Sequence, residues 1–152
     1  AAPVGMYALN SMRIEKGYLT WKGDLSTDYS LLETGLDRFV KLDKPQDFPG
    51  KAALQAQAQA GVSKRLVTLT VETAEQDAPY MAAVFKDGQR VGEVTSSAYG
   101  YRVEKAIALA MLDIEATAAG TELEIEVYGR RLKAVVEANA TLWDAENARL
   151  RA

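Results

Sequence analysis

Two stretches beyond Gly61 alternate apolar and polar residues with a period of two, and this pattern limits the fold more than any other feature. In RLVTLTVE the apolar positions alternate with threonine and glutamate, and in TELEIEVY they alternate with glutamate; they are Val67, Leu69, Val71, Leu123, Ile125 and Val127. Successive side chains of a strand point to opposite faces, so each stretch has one apolar and one polar face. Both stretches are therefore predicted to be half-buried strands.

The turns between the candidate strands favour an antiparallel arrangement. Asp87-Gly88 lies between AAVFK and QRVGEVT and is a strong signal for a type I′ hairpin, and Gly129-Arg130 is a weaker one. A two-residue loop at 129–130 predicts that Glu126 lies opposite Lys133, an opposite-charge pair across the strands. The apolar run VEKAIALAML is predicted to be a buried strand. Five or six antiparallel strands in a short segment predict a small barrel or sandwich, because closure or stacking hides strand edges.

The residues before Gly61 have a different character. Pro3 is tolerated in a first helical turn, and the apolar face that follows predicts a helix over residues 4–15, ended by Gly17. Residues 17–44 contain many apolar residues but have no clean period, so we expect packed irregular structure or short extended segments. A second helix is predicted from an Asp47 cap to Gly61, with Pro49 inside the first turn. The Ala/Gln repetition here is also seen in flexible linkers, but good helix formers between two caps favour a helix.

Composition excludes several classes of protein. The chain has no cysteine and no histidine, which removes disulfides, thiolate metal sites and any catalytic triad that uses histidine. The net charge of -3 gives no electrostatic basis for binding nucleic acid or an anionic membrane. No apolar run approaches the roughly 20 residues that span a bilayer. The sequence is that of one globular domain, or one domain with part of another.

Some residues admit two interpretations. A series of carboxylates has the composition of a hard-metal site but lacks the spacing of a calcium loop, so these side chains are expected to be solvated; the series comprises Asp24, Asp28, Glu33, Asp37, Asp43 and Asp47. Arg13 and Glu15 face different directions on the first helix and are expected to be interdomain anchors rather than catalysts. Tyr99 and Tyr101 either line the mouth of a site or cover the end of the barrel. Turn and bulge positions are expected for three glycines, Gly88, Gly92 and Gly100, because no phosphate-binding pattern contains them.

Three motifs, in order, resemble one enzyme family. They are GMYALNSMRIEKGYLTWKGDL, SLLETGLDRFVKLDKPQDFPGKAAL and VGEVTSSAYGYRVEKAIALAML. Together they resemble the C-terminal portion of the aminomethyltransferase family, which includes the T-protein of the glycine cleavage system. The ALNS form of the first motif and the DFPGKAAL motif are most similar to the folate-linked halves of dimethylglycine and sarcosine dehydrogenases.

The resemblance implies an architecture. It predicts an α+β chain in which an N-terminal helical and irregular segment is followed by a small antiparallel Greek-key β-barrel. Residues 1–62 are then the C-terminal part of the folate-binding transferase domain, and residues 63–152 form the barrel domain. Apolar residues of the first part, such as Trp21, Leu32 and Phe39, are expected to be exposed where the rest of that domain is missing.

The resemblance also implies the positions that contact the cofactor. Family members have a folate-contacting arginine four residues before the arginine of the first motif, and Leu9 occupies that position here, as in the dehydrogenase branch. Trp143 lies in the tail where T-proteins have a ligand-contacting tyrosine. It either presents its ring to the pterin or packs against its own domain. The family's catalytic aspartate and folate-binding glutamate have no counterpart in this chain, so we expect it to contain no catalytic residue and no metal ligand.

Two functional hypotheses follow from the resemblance. In the first, the chain is the C-terminal section of a tetrahydrofolate-dependent one-carbon transfer enzyme of the dimethylglycine or sarcosine dehydrogenase type, with FAD on a separate N-terminal region. Its partners are then the preceding domains of the same polypeptide, folate and a small methylated amine, in the cytoplasm or the mitochondrial matrix. In the second, it is a stand-alone, non-catalytic binding or scaffold module with the same shape. The resemblance also leaves open an enzyme that acts on methylated sulfur compounds, because that branch of the family shares the fold.

Overall fold

The computed structural model describes residues 3–73, 76–149 and 151, and it has two helices before a six-stranded barrel. The helices are α1 (Met6–Glu15) and α2 (Lys51–Ala60), with single 3-10 turns at Asp37–Phe39 and Ile114–Ala116. The strands are β1 (Lys64–Val71), β2 (Ala83–Lys86), β3 (Gln89–Gly100), β4 (Lys105–Asp113), β5 (Glu122–Val127) and β6 (Arg130–Val136). This confirms the α+β prediction, including a strand for the apolar run 103–112.

The barrel is closed and has Greek-key topology. Its strand order is β1-β4-β3-β2-β5-β6, and β6 pairs back onto β1. Consecutive strands β2, β3 and β4 lie side by side, and β1 pairs with β4 although a long connection joins it in the chain to β2, which is the Greek-key arrangement. Each strand pairing is antiparallel. Among the described strands, each has a neighbour on both sides, so the closed barrel has no edge strand that would template association with another chain.

The alternating residues fill the barrel interior as predicted. Leu69, Leu123, Ile125 and Val127 are buried in the main core, and Val67 and Val71 pack against it. β4 is apolar without alternation because it is buried on both faces: the interior on one side and α1 with its neighbouring segments on the other. A second small core beneath α1 contains Ile14, Ala98, Ile107 and Leu109.

One hairpin turn agrees with the sequence prediction, and the other differs by one residue. Asp87 and Gly88 both have positive φ, as a type I′ turn requires. At the second hairpin the turn residues are Tyr128 and Gly129, so the predicted loop at Gly129-Arg130 is wrong. Glycine fits the second turn position, where φ is 79°, and this shifts the strand register.

The shifted register changes the charge pairs. Lys133 lies opposite Glu124 rather than Glu126, and Glu126 lies opposite Arg131. Arg131 is 3.7 Å from the Glu124 carboxylate and 3.5 Å from that of Glu126, and its guanidinium stacks on Phe85. Opposite charges still face each other across β5 and β6, although the predicted pair was wrong.

Both helices begin later than predicted. α1 starts at Met6 after an extended Gly5, and α2 starts at Lys51 after Gly50, whose φ of 88° is left-handed. Asp47 therefore does not cap α2; its carboxylate accepts a hydrogen bond from the amide of Phe48. The predicted ends are confirmed, since Gly17 and Gly61 both have positive φ directly after or near the last helical turn. Residues 17–44 form turns and bends with one 3-10 turn, as expected.

Apolar side chains are exposed over α1 and the segment that follows it. Trp21 is 63% exposed and Phe39 is 68% exposed, whereas Leu32 is half-buried. The outward face of α1 adds more; its exposed residues are Met6, Tyr7, Leu9 and Met12. An apolar surface of this kind is typical of a face that packs against further protein.

Candidate functional site

The barrel-facing side of α1 is fixed by hydrogen bonds to β3. The side-chain amide of Asn10 donates to the carbonyl of Ser97 at 3.1 Å, and the hydroxyl of Ser11 donates to the carbonyl of Tyr99 at 2.7 Å. Ile14 is completely buried in the small core below the helix. These contacts orient α1 so that Leu9 and Met12 lie on the opposite, exposed face.

Arg13 is the centre of a polar network between α1, the segment after it and the barrel. Its guanidinium donates to the Asp24 carboxylate at 2.7 Å, to the Ser96 hydroxyl at 2.8 Å and to the Tyr18 carbonyl at 3.0 Å. Its Nε donates to the side-chain oxygen of Asn10 at 2.9 Å. Arginine suits this position because its planar group presents five donors in fixed directions.

Asp24 is completely buried, so the prediction that it is a solvated loop acid was wrong. Its carboxylate accepts hydrogen bonds from Arg13, from the amide of Thr20 at 2.9 Å and from the hydroxyl of Thr95 at 2.7 Å. Thr95 is the extra residue of a β-bulge, since the β3–β4 register shifts between Val94 and Ser96. The bulge re-aims the Thr95 hydroxyl toward Asp24. The charge is tolerated because it is paired and hydrogen-bonded.

Glu15 makes the second anchor of α1. Its carboxylate accepts the backbone amides of Arg102 at 2.5 Å and Val103 at 3.2 Å, in the turn between β3 and β4. Arg13 and Glu15 therefore contact different parts of the barrel, as their spacing on the helix predicted. Both anchor α1, with Glu15 buried and Arg13 half-buried.

The C-terminal strap, which we define as residues 137–144, crosses the end of α1. The backbone amides of Leu142 and Trp143 both donate to the carbonyl of Glu15 at 3.0 Å. Lys16 is buried, and its ammonium donates to the carbonyl of Asp144 at 2.5 Å and lies 3.2 Å from the Asp144 carboxylate. Burial raises the pKa of Asp144, but hydrogen bonds from the Arg149 amide and Lys16, with the charge of Lys16, outweigh it and hold the pKa below its usual value.

Of the two residues predicted to contact the cofactor, Leu9 lies within α1 and Trp143 lies in the strap. Leu9 is 49% exposed on the outward face. Trp143 is half-buried beside the C-terminal end of the helix, with the Lys16 ammonium 5.5 Å and the Arg102 guanidinium 5.9 Å from its ring centre. Leu9 lies six residues before Glu15, or about 9 Å along the helix axis. The ring therefore has contacts within its own domain, and its contact with the pterin stays a prediction.

The tyrosines after the bulge lie at the same end of the barrel. Tyr99 and Tyr101 form an edge-to-face pair with ring centres 5.1 Å apart, and Tyr101 is exposed. The intervening Gly100 is required by packing, because a Cβ there would lie 2.7 Å from Ile107 and 2.9 Å from Glu15. Gly92 likewise lies within β3, beside a bulge, and not in a turn. Gly88 is a turn residue, as predicted.

A groove of about 590 Å³ lies between β1, the strap and the segment after α1. Its lining includes Leu36, Arg38, Arg65, Leu66 and Thr68, but neither Leu9 nor Trp143. Within residues 3–73, 76–149 and 151, no three acidic side chains are grouped so that they could hold a metal ion. In the same residues, no helix has the length and apolar character to cross a membrane.

Sequence reasoning missed most of the polar network. Lys16, Asp24, Thr95 and Asp144 were not identified, because their partners are far apart in the chain and burial decides their roles.

Comparison with known proteins gives the family. The model of the glycine cleavage T-protein C-terminal barrel domain matches residues 64–144. This chain belongs to the glycine cleavage T-protein family. A second model, the GCVT N-terminal domain, matches residues 1–44. The T-protein resemblance of the three sequence motifs is thereby confirmed.

Two curated relatives of this T-protein family member have different names. Dimethylglycine dehydrogenase, mitochondrial, of Rattus norvegicus is 38% identical over 132 residues, which cover 87% of this chain and 15% of the relative. Aminomethyltransferase of Bacillus mycoides (strain KBAB4) is 36% identical over 135 residues, covering 88% of this chain and 36% of the relative. The chain therefore spans a small part of the first relative and about a third of the second.

A solved structure has the same fold. The glycine cleavage system aminomethyltransferase T from Bartonella henselae superposes with a TM-score of 0.82 and 27% identity, over 90% of this chain and 38% of that one. The aligned part includes both the helical segment and the barrel, since the barrel alone is much less than 90% of the chain.

Proposed function

We propose that this T-protein family chain is the C-terminal section of a tetrahydrofolate-dependent enzyme that transfers a one-carbon unit, of the FAD-linked dimethylglycine or sarcosine dehydrogenase type. The observation that carries the proposal is the match to dimethylglycine dehydrogenase along 87% of the chain. Leucine at position 9 supports the dehydrogenase branch, because an arginine there is typical of T-proteins. Residues 1–62 belong to the transferase domain and residues 63–152 to the barrel domain in this proposal. The start of β1 at Lys64 supports that boundary.

The residues present fit folate as peripheral contacts. Trp143 offers part of an aromatic face with the cation of Arg102 beside it, which suits a ligand that has both an aromatic ring and a carboxylate tail. Leu9 offers an exposed apolar contact without charge. Bound tetrahydrofolate supplies the nitrogen that accepts the one-carbon unit. This chain's own contribution is to hold the wall of the site, since Arg13 and Glu15 fix α1 on the barrel.

The remaining components belong to other parts of the polypeptide in this proposal. The preceding domains of the same polypeptide pack on the exposed face of α1 and on Trp21 and Phe39, and they supply the acid/base group, the small methylated amine and the FAD. The protein then works in the cytoplasm of a bacterium or in the mitochondrial matrix of a eukaryote, as the word "mitochondrial" in the name of the rat relative suggests.

An assay of the isolated 152-residue chain tests whether the catalytic groups lie in other parts of the polypeptide. Incubated with dimethylglycine, tetrahydrofolate, FAD and an electron acceptor, it is expected to release no sarcosine and to form no methylene-tetrahydrofolate. Turnover by this chain alone contradicts the proposal that the catalytic groups lie elsewhere. Equilibrium dialysis with tetrahydrofolate checks the second candidate, a non-catalytic binding module: tight binding by the chain alone favours that module.

A further inference from the structure

Glu15 uses its side chain and its main chain to join two segments that are distant in sequence. The carboxylate is 2% exposed and accepts both turn amides, those of Arg102 and Val103. The carbonyl, which belongs to the last residue of α1, accepts the amides of Leu142 and Trp143 from the strap. Carbonyls in the last helical turn have no partner within the helix, so the strap satisfies a group that α1 leaves open.

The neighbouring residues hold the strap at the same point. The hydroxyl of Thr141 donates to the carbonyl of Lys16 at 3.1 Å, and the Lys16 ammonium is bound by Asp144. Gly17 lets the two backbones approach, because a Cβ there would lie 2.8 Å from the carbonyl oxygen of Ala140. Three consecutive residues of the chain, 15–17, therefore contact the strap.

The strap has open space on both sides of this point. The groove of about 590 Å³ lies along one side, and a smaller one of about 320 Å³, lined by Val103, Lys105 and Leu142, lies along the other. Residues Glu137, Ala138 and Thr141 line both grooves. The Thr68 hydroxyl donates to the carbonyl of Ala140. Beyond Ala140, the strap is consequently attached in large part through its contacts with the end of α1.

We propose that Glu15 is the positioning residue for Trp143, and that it couples the placement of the indole to the turn between β3 and β4. The turn amides fix the Glu15 side chain, the side chain fixes the end of α1, and the carbonyl of that end fixes the amide of Trp143. The Arg102 guanidinium, which belongs to the same turn, lies beside the indole ring. The inference concerns this chain alone and stands whether or not folate binds.

The test compares Glu15→Ala with Glu15→Gln in the full chain carrying Trp21→Phe, so that Trp143 is the one tryptophan. Hydrogen exchange is read at the amides of Leu142 and Trp143, with β4 amides as the control. Glu15→Ala removes the carboxylate that the turn amides bind, so the end of α1 is no longer held against the turn. Exchange at both strap amides is therefore expected to rise about tenfold or more, while the β4 amides stay protected. Glu15→Ala also shifts the Trp143 emission to the red. Glu15→Gln keeps an acceptor oxygen and is expected to resemble the parent.

Asp144→Asn provides an independent test from the strap side if Glu15→Ala does not fold. This variant removes the charge that holds Lys16. Coupling between the strap and the β3–β4 turn is reciprocal, so loosening the strap is expected to raise hydrogen exchange at the Arg102 and Val103 amides several-fold. Unchanged exchange at those turn amides overturns the coupling. Three results with the Glu15 variants also overturn the proposal: unchanged strap exchange in Glu15→Ala, equal loss of protection in β4, or a Glu15→Gln variant as perturbed as Glu15→Ala.

Discussion

The guanidinium of Arg13 and the fully buried carboxylate of Asp24 lie 2.7 Å apart and connect α1, the segment after it and the bulge of β3. Arg13 is 14% exposed and Asp24 has no exposed surface, so solvent screens this pair little. The Asp24 carboxylate also accepts hydrogen bonds from the Thr20 amide and the Thr95 hydroxyl. The network fixes the direction in which α1 presents its apolar face.

Loss of one charge from this pair is expected to destabilise the protein strongly. Asp24→Asn leaves the Arg13 guanidinium without its counter-ion, and breaking a buried pair from one side costs about 3 to 5 kcal/mol. Asp37→Asn is the matched control, because Asp37 is exposed and 3.9 Å from Arg65, where such a pair contributes about 0 to 1 kcal/mol. Urea denaturation measures both free energies of unfolding. Equal losses in the two variants contradict the assigned role of Asp24.

Gly92 is expected to tolerate no side chain. A Cβ at this position would lie 2.1 Å from the carbonyl oxygen of Met111 on the paired strand β4. Gly92→Ala therefore forces the strands apart, with an expected cost of about 1 to 3 kcal/mol or more. Gly5→Ala is the control, since nothing lies within 4 Å of the added carbon. Thermal unfolding of both variants checks the prediction, which fails if Gly92→Ala melts with the parent.

The contact between Lys16 and Asp144 is expected to weaken in acid. The folded pKa of Asp144 lies below the usual 3.8, so the ionised form is favoured in the folded state. Its stabilisation is present above that usual value and is lost as the pH falls through the folded pKa. The difference in unfolding free energy between the parent and Asp144→Asn is therefore constant near neutral pH and shrinks below about pH 4. The difference in unfolding free energy between the parent and Lys16→Met is expected to show the same pH dependence. If the difference for Asp144→Asn persists at low pH, the contact between Lys16 and Asp144 is not its source.

The turn at Tyr128 is expected to be improvable. Tyr128 has a φ of 48° and is exposed, so a bulky side chain occupies a left-handed position without burying its ring. Asparagine tolerates this conformation and precedes glycine in favoured type I′ turns, so Tyr128→Asn is expected to stabilise the hairpin by about 0.5 to 1 kcal/mol. Tyr128→Ala, which removes the ring without that preference, serves as the control. A destabilised Tyr128→Asn variant would show that the exposed ring contributes more than the turn conformation.

The alternation of apolar residues and the turn signals predicted the barrel because its strands follow both patterns. The alternation around Leu69 and Ile125 and the Asp87-Gly88 turn each depend on neighbouring residues, and they agreed with the structure. The second turn was misplaced by one residue because Gly129 was assigned to the first turn position, although it fits the second. The start of α2 was misplaced because the conformation of Gly50 outweighs the capping preference of Asp47.

The polar anchors of α1 depended on long-range contacts. Asp24 meets Thr95, and Lys16 meets Asp144, across separations of 71 and 128 residues. No period or spacing in the sequence predicts such a pair, since burial and the β3 bulge determine it. The family motif marked Arg13 and Glu15 as important, and the structure supplied the partners.

The most direct test of the proposed function uses the natural gene product that contains this chain. The purified protein is incubated with ¹³C-methyl-labelled dimethylglycine, tetrahydrofolate and an electron acceptor, and the label is followed by mass spectrometry. The intact mass of the same sample is compared with the 16.5 kDa of this chain. We expect a larger protein that moves the label into methylene-tetrahydrofolate in amounts equal to the sarcosine formed. The account is contradicted if the purified protein does not demethylate dimethylglycine or sarcosine and transfers no label to folate.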